Sequence, residues 1–268
     1  GGSGVYGKLY PRGIPMLKDY GLKDYENSAD YENYVVTKNN EKITVTIPYN
    51  AQFTPYFKVI APEGEKIRIT TENTLITGSV STTYITKEGE QEFESLGWMN
   101  GEEVTYKFPK GTKILSLQYR ETGYNSEFSG DFNCDDEFLN TLWQKSLRTL
   151  YVTMRDNFMD CPDRERAQWW GDVTNEMVMT MYAMDSNSYL LYQKGVEDML
   201  SHLDGSDILQ TVVPISGDYF ELPVQQLAGS VGFLTYYQYT GDKAFREKVY
   251  RASINYLKLW EIGENNLV

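Results

Sequence analysis

The chain has 268 residues, with 25 Lys and Arg against 38 Asp and Glu, a formal charge of −13. That balance speaks against nucleic acid or an anionic membrane surface as the main partner, because both call for clustered positive charge. With 41% hydrophobic and 24% charged residues the composition is globular, and no apolar run approaches the roughly 18–20 residues of a membrane span.

The chain opens Gly-Gly-Ser-Gly without a Met, which reads as a processed, engineered or cropped start. Residues 1–30 read as an N-terminal connector. Its acidic run 19–32, with Tyr20, Tyr25 and Tyr31, is expected to be solvated. A calcium loop there is the disfavoured alternative, because the carboxylates lack a known loop spacing.

Residues 31–130 are expected to form an antiparallel β-sandwich. Residues 42–48, 56–60, 66–71, 81–86, 103–108 and 113–119 alternate apolar and polar positions, with Ile43, Val45 and Ile47 on one face. Turn residues separate them, including 62–65, 87–90 and 109–111. Asn100-Gly101 is the residue pair that favours a tight hairpin.

Beyond residue 130 the apolar period lengthens from 2 to about 3.6. Asp135, Asp136 and Glu137 open a helix carrying Phe138, Leu142, Leu150, Met154 and Phe158, flanked by Leu139, Trp143 and Leu147. Further helices are expected from near Asp172, from Ser186 to Leu203, and from Leu222 to Tyr239, the last stopping at Thr240-Gly241. Asp242 caps a fifth, and the segment 211–214 is the one strand candidate among them. The fold class expected is therefore multidomain β + α, with residues 131–268 as the first helices of a bundle or toroid.

Two cysteines, Cys134 and Cys161, make no disulfide scaffold, although one bridge between them is allowed in an oxidising compartment. The single His202 excludes a multi-His metal site and reads as locally satisfied; no metal or cofactor is implied. Met177, Met179, Met181 and Met184 read as gap-filling core.

The densest polar cluster is Asp160-Cys161-Pro162-Asp163-Arg164-Glu165-Arg166-Ala167-Gln168-Trp169-Trp170-Gly171-Asp172. It joins four carboxylates and two arginines to adjacent tryptophans. Such a set suits a sugar site. Carboxylates accept hydrogen bonds from hydroxyls, an indole face stacks on a pyranose, and a carboxyl beside apolar rings can keep its proton and act as an acid. The plain structural alternative has Arg164 and Arg166 tying down Asp160, Asp163 and Asp172, with Asp172 capping a helix.

The string D-C-P-x-R-E-R-x-x-W-x-G-D closely resembles the signature of bacterial α-L-rhamnosidases of glycoside hydrolase family 78, in the six-hairpin glycosidase superfamily. Upstream, residues 84–94, Trp98-Met99-Asn100-Gly101 and 119–124 resemble the β-sandwich that leads into that family's catalytic domain. The resemblance implies an (α/α)6 toroid and an inverting mechanism. It puts Glu165 in the place of the general acid, Asp160, Arg164 and Asp172 among the rhamnose ligands, and Trp169 on the pocket wall. Trp170 and Glu221 are further candidates.

Inversion needs a second carboxylate as general base, about 6.5–9.5 Å from the acid. Glu176, Glu197 and Glu221 are the in-chain candidates, and none matches the family's position. The resemblance therefore implies a truncated toroid with the base beyond Val268, an inactive fragment if made alone, and exposed apolar helix faces that favour poor solubility or association.

The function expected is removal of terminal α-L-rhamnose from a glycoside or polysaccharide, the carbohydrate being the partner. The alternatives are another six-hairpin carbohydrate enzyme (a fucosidase, a debranching-type glucosidase or a lyase) or a non-catalytic sugar-binding fragment. An oligomer is compatible with the sequence. A periplasmic or extracellular setting is favoured over the cytoplasm.

Overall fold

The structure is a computed structural model that describes residues 11–75, 80–203, 206–213 and 221–265. Readings that fall on residues 1–4, 214, 219, 220 and 266–268 lie outside these. The chain divides into two compact units, each described by itself. One comprises Leu17–Tyr124 with Cys161–Arg166; the other comprises Gly1–Met16, Asn125–Asp160 and Ala167–Val268.

The first unit is a curled antiparallel sheet of seven strands: β1 (Lys18–Asp24), β2 (Glu41–Ala61), β3 (Lys66–Thr71), β4 (Thr82–Ile85), β5 (Gly89–Glu94), β6 (Met99–Phe108) and β7 (Lys113–Gly123). Their order is β1-β7-β2-β6-β3-β4, with β5 also on β2. The predicted alternation holds, since Ile43, Val45 and Ile47 are buried with Phe53, Phe57, Ile67, Ile69, Tyr106 and Phe108 in one core. The two segments expected at 42–48 and 56–60 are one long strand. A register shift between Thr46 and Ala51 bends it. Beyond the bend β2 pairs with β5 and β7.

Two expectations are corrected. Residues 18–24 are not a solvated connector but an edge strand on β7. Lys23 reaches the buried carboxylate of Glu121 at 2.6 Å, and Tyr25 is buried with its hydroxyl 2.9 Å from that of Tyr106. Aromatic packing and a partnered charge outweigh the acidic composition of this stretch. Asn100-Gly101 is not a hairpin turn either. It lies inside β6, opposite Gln52 and Ala51, and β5 and β6 run the same way along β2, joined through residues 95–98. The Glu72 carboxylate accepts from Glu102 N–H and Glu103 N–H at 2.6 and 3.0 Å. A Cβ on Gly101, whose φ is +154°, would sit 2.5 Å from Glu72 Oε2. The glycine thus makes room for a carboxylate distant in sequence.

The second unit holds α1 (Glu137–Val152), α2 (Trp170–Ala183), α3 (Asn187–Ser201), α4 (Pro223–Thr240) and α5 (Lys243–Leu257). The start and stop signals act as read. Asp136 accepts from Phe138 N–H and Asp242 from Phe245 N–H, both at 2.9 Å, and Gly241 ends α4 in the left-handed conformation. α1 stops at Val152, before Met154 and Phe158, and these two are buried in a short bridge beyond it. Val212 makes a single bridge to Trp169.

α2 packs on α1, α3 and α4, and α5 packs on α4. The α2–α4 seam is close because α4 offers glycines. Gly229 faces the Trp170 ring, and a Cβ at Gly232 would lie 2.6 Å from Thr174 Oγ1 and 2.8 Å from the Tyr192 hydroxyl. Of the methionine group, Met177 and Met184 are core while Met179 is exposed. Both cysteines are free thiols. His202 ends α3 with Nδ1 2.7 Å from the Asp198 carbonyl.

Candidate functional site

The thirteen-residue cluster is a tied loop leading into α2. Asp160 fastens its base. Its N–H donates to the Ala167 carbonyl and its carboxylate accepts from the Ala167 N–H, each at 3.0 Å. The intervening turn Cys161–Arg166 clusters with the β unit. Within it Arg166, held at φ +53°, donates from Nε to the Pro162 carbonyl at 2.9 Å and from Nη2 to the Trp98 carbonyl at 3.2 Å. Its guanidinium also lies 3.3 Å from the centre of the Trp98 ring, a cation–π contact. The Cys161 thiol accepts from the Glu165 N–H at 3.3 Å. The Glu165 carboxylate itself is exposed and contacts the Arg164 guanidinium.

Past Ala167 the anchors belong to the helical unit. Gln168 is fully buried and donates to the Val213 and Gly195 carbonyls at 3.1 and 3.4 Å. Trp169 is the residue before α2, makes no side-chain cap bond and keeps part of its surface. Trp170 has no exposed surface. It meets Tyr192 and Phe233 edge to face at 6.5 and 6.0 Å, so this ring is helical core, not a platform for a sugar. The two adjacent tryptophans differ in burial because a helix start turns the second one inward.

Asp172 lies in the first turn of α2, where the helix dipole favours a negative charge, and is not the N-cap. One turn further along is Glu176. Trp169, Asp172 and Glu176 stand three and four residues apart, so they share a face. The Oε2 atom of Glu176 is enclosed and without a hydrogen-bond partner. Burial, reinforced by the negative charges of Asp172 and Asp160, pushes its pKa up to about 8, while the nearby Thr153 hydroxyl opposes the rise. Thr153 and the Arg166–Trp98 clamp carry no sequence signal of their own. The i, i+4 spacing from Asp172 to Glu176 is the one pointer that the chain offers.

The other in-chain base candidates are engaged elsewhere. Glu197 pairs with Lys248 in an exposed contact between α3 and α5. Glu221 is exposed, accepts from the Tyr256 hydroxyl at 2.7 Å and does not cap α4, whose N-cap is Leu222.

A family model described as the bacterial α-L-rhamnosidase six-hairpin glycosidase domain matches residues 127–266, more than half of the chain. The chain belongs to this family. Rhamnosidases are also its structural neighbours. A glycoside hydrolase family 78 rhamnosidase of Bacillus sp. GL1 superposes with a TM-score of 0.73 at 21% identity, over 83% of this chain and 24% of that one. The α-L-rhamnosidase of Dictyoglumus thermophilum gives 0.77 at 21%, over 94% and 29%. A Klebsiella oxytoca rhamnosidase with rhamnose bound gives 0.77 at 12%, over 91% and 57%. At these identities the likeness shows the fold alone. The chain spans between a quarter and somewhat over half the length of these three proteins. No curated protein matches it.

Proposed function

We propose that the protein acts as an inverting α-L-rhamnosidase whose acid is Glu165. The observation that carries this is the tied loop. Asp160, Arg166 and Cys161 fix the backbone around Glu165, and its carboxylate, 33% exposed, meets the Arg164 guanidinium at the surface. Such a group is positioned to protonate a leaving glycosidic oxygen. In this reading Asp160, Arg164 and Asp172 hold the hydroxyls of the terminal rhamnose and Trp169 covers its apolar face.

The five helices are the opening part of an (α/α)6 toroid preceded by a β-sandwich. The packing of α2 on α4, with α3 and α5 as their hairpin partners, supports this. A separate glutamate activates the water. Neither Glu197, engaged with Lys248, nor Glu221, engaged with Tyr256, suits that role. In this reading the base lies outside the described residues.

The test is a panel of aryl glycosides offered to the full-length protein, with the anomer of the released sugar followed by NMR. The reading expects α-L-rhamnosides to be preferred and the β anomer to be released first. Preference for a fucoside or glucoside selects another six-hairpin enzyme. Saturable rhamnose binding without turnover selects a sugar-binding protein.

A further inference from the structure

We infer that Trp98, on the loop joining β5 to β6, is a positioning residue for the acid Glu165 and acts on it through Arg166. This rests on the rhamnosidase reading and deepens it.

The inference starts from a backbone outlier. Arg166 directly follows Glu165 and has φ +53°, in the left-handed region that residues with a side chain rarely occupy. Such a conformation persists only where the surroundings impose it, and it gathers at functional sites. The surroundings here are specific. The Arg166 guanidinium lies 3.3 Å from the centre of the Trp98 ring. Its Nη2 donates to the Trp98 carbonyl at 3.2 Å and its Nε to the Pro162 carbonyl at 2.9 Å. A guanidinium can do all this at once because it is planar: its face stacks on a ring while its N–H groups donate in the plane. A lysine ammonium has no such face.

The contacts divide into two kinds. The bond to Pro162 closes the turn on itself around Glu165, and so does the Cys161 thiol that accepts from the Glu165 N–H at 3.3 Å. These set the shape of the turn. The contacts to Trp98 set its place against the sheet, since Trp98 immediately precedes β6. The loop that carries Trp98 is itself pinned at both ends. The Ser95 N–H donates to the Pro55 carbonyl of β2 at 3.0 Å. The Ser95 hydroxyl donates to the Gly97 carbonyl and lies 2.8 Å from the Thr82 hydroxyl. Met99 is buried in register with Phe53. A chain of contacts thus runs from the sheet through Trp98 and Arg166 to the backbone of Glu165.

The chemistry explains why such an anchor is useful. A general acid must come within hydrogen-bond reach of the oxygen it protonates, and a misplacement of about 1 Å can cost about 10²-fold in rate. The Glu165 carboxylate stands at the surface, 33% exposed, so the backbone that carries it sets where it starts from. Trp98 does no chemistry on the sugar; it fixes the register of the turn.

The experiment uses the full-length protein with Trp98→Ala, Trp98→Phe, Glu165→Gln and the double variant Trp98→Ala with Glu165→Gln. It measures kcat and KM on an alkyl α-L-rhamnoside and on a strongly activated aryl α-L-rhamnoside. Trp98→Ala is expected to lower kcat on the alkyl substrate about tenfold, with KM within about twofold and the activated substrate largely spared. Trp98→Phe keeps a ring under the guanidinium and should restore kcat to within about threefold. In the Glu165→Gln background Trp98→Ala should cost nothing further, because the group it positions is gone. Should Trp98→Ala fold poorly, Arg166→Lys, which keeps the charge and loses the planar face, should show the same selective loss. Equal losses on both substrates, an undiminished loss in the Glu165→Gln background, or no loss at all would overturn the inference, while a selective defect in Glu165→Gln alone leaves the rhamnosidase reading standing. If the parent cleaves no rhamnoside, or Glu165→Gln shows no selective defect, the reading fails and takes the inference with it.

Discussion

Different forces hold the turn Cys161–Arg166 and the first two turns of α2. The turn is fixed by directional contacts: one thiol, two backbone carbonyls and an aromatic ring, all engaging exposed or half-buried groups. The α2 segment is fixed by a core. Trp170, Val173 and Met177 have no exposed surface, and the neighbouring helix approaches through glycine. The contrast has a physical consequence. Contacts at a surface contribute little to global stability, so the turn can be perturbed with mainly local effects. Side chains on α2 cannot be changed without engaging the packing of the whole unit.

The largest effect expected is on the turn. Glu165→Gln should lower turnover of a rhamnoside by about 10²–10⁴, the usual contribution of a general acid, with the melting temperature unchanged. Steady-state kinetics beside a thermal melt check both halves of that statement.

Next comes Glu176. Its folded pKa is raised, so the folded state holds a proton that the unfolded chain releases. The stability associated with that proton is fully present below the ordinary carboxylate pKa and is lost as pH rises towards about 8. Denaturant titrations across this window should show a decline of roughly 2–4 kcal/mol in the parent that Glu176→Gln largely abolishes. Parallel curves would show that the carboxyl is not desolvated.

A third substitution tests the seam. Gly232→Ala places a methyl group within 2.6 Å of Thr174 Oγ1 and 2.8 Å of the Tyr192 hydroxyl. It should destabilise the protein by about 1–3 kcal/mol in equilibrium unfolding. The smallest stability effect belongs to the clamp. Arg166→Ala removes the Trp98 stack and two hydrogen bonds, yet should cost no more than about 1 kcal/mol. Its signature is kinetic instead. kcat should fall about tenfold with KM little changed, because the acid loses its orientation. A large loss of stability with normal kcat would reverse the contrast between the two regions.

Much of the helical unit was legible in the sequence because its signals are local. Asp136, Gly241 and Asp242 act within one turn of their own positions, and the helix limits follow from them. The sheet was legible in its alternation but not in its irregularities. Asn100-Gly101 looks like a turn until Glu72 is brought to the backbone beside it, and no window around residue 100 contains Glu72. The acidic stretch at β1 was misread for the same reason, since the partners of Lys23 and Tyr25 are Glu121 and Tyr106.

In the site, the signature located the loop, and the resemblance assigned roles along it. The difference in burial between Trp169 and Trp170 depends on where α2 begins. Glu176 was visible only as one glutamate among three. Its enclosure beside Thr153 arises from the packing of α1 on α2, which sequence spacing does not express.

The central claim is that Glu165 is the acid, and leaving-group dependence tests it most directly. The full-length protein and its Glu165→Gln variant are compared on an alkyl rhamnoside, whose leaving group needs a proton, and on a strongly activated aryl rhamnoside, whose leaving group does not. Loss of general acid catalysis predicts that the alkyl substrate suffers by orders of magnitude while the activated one is spared most of the defect. Equal losses on both substrates, or retained cleavage of the alkyl rhamnoside, would contradict the assignment.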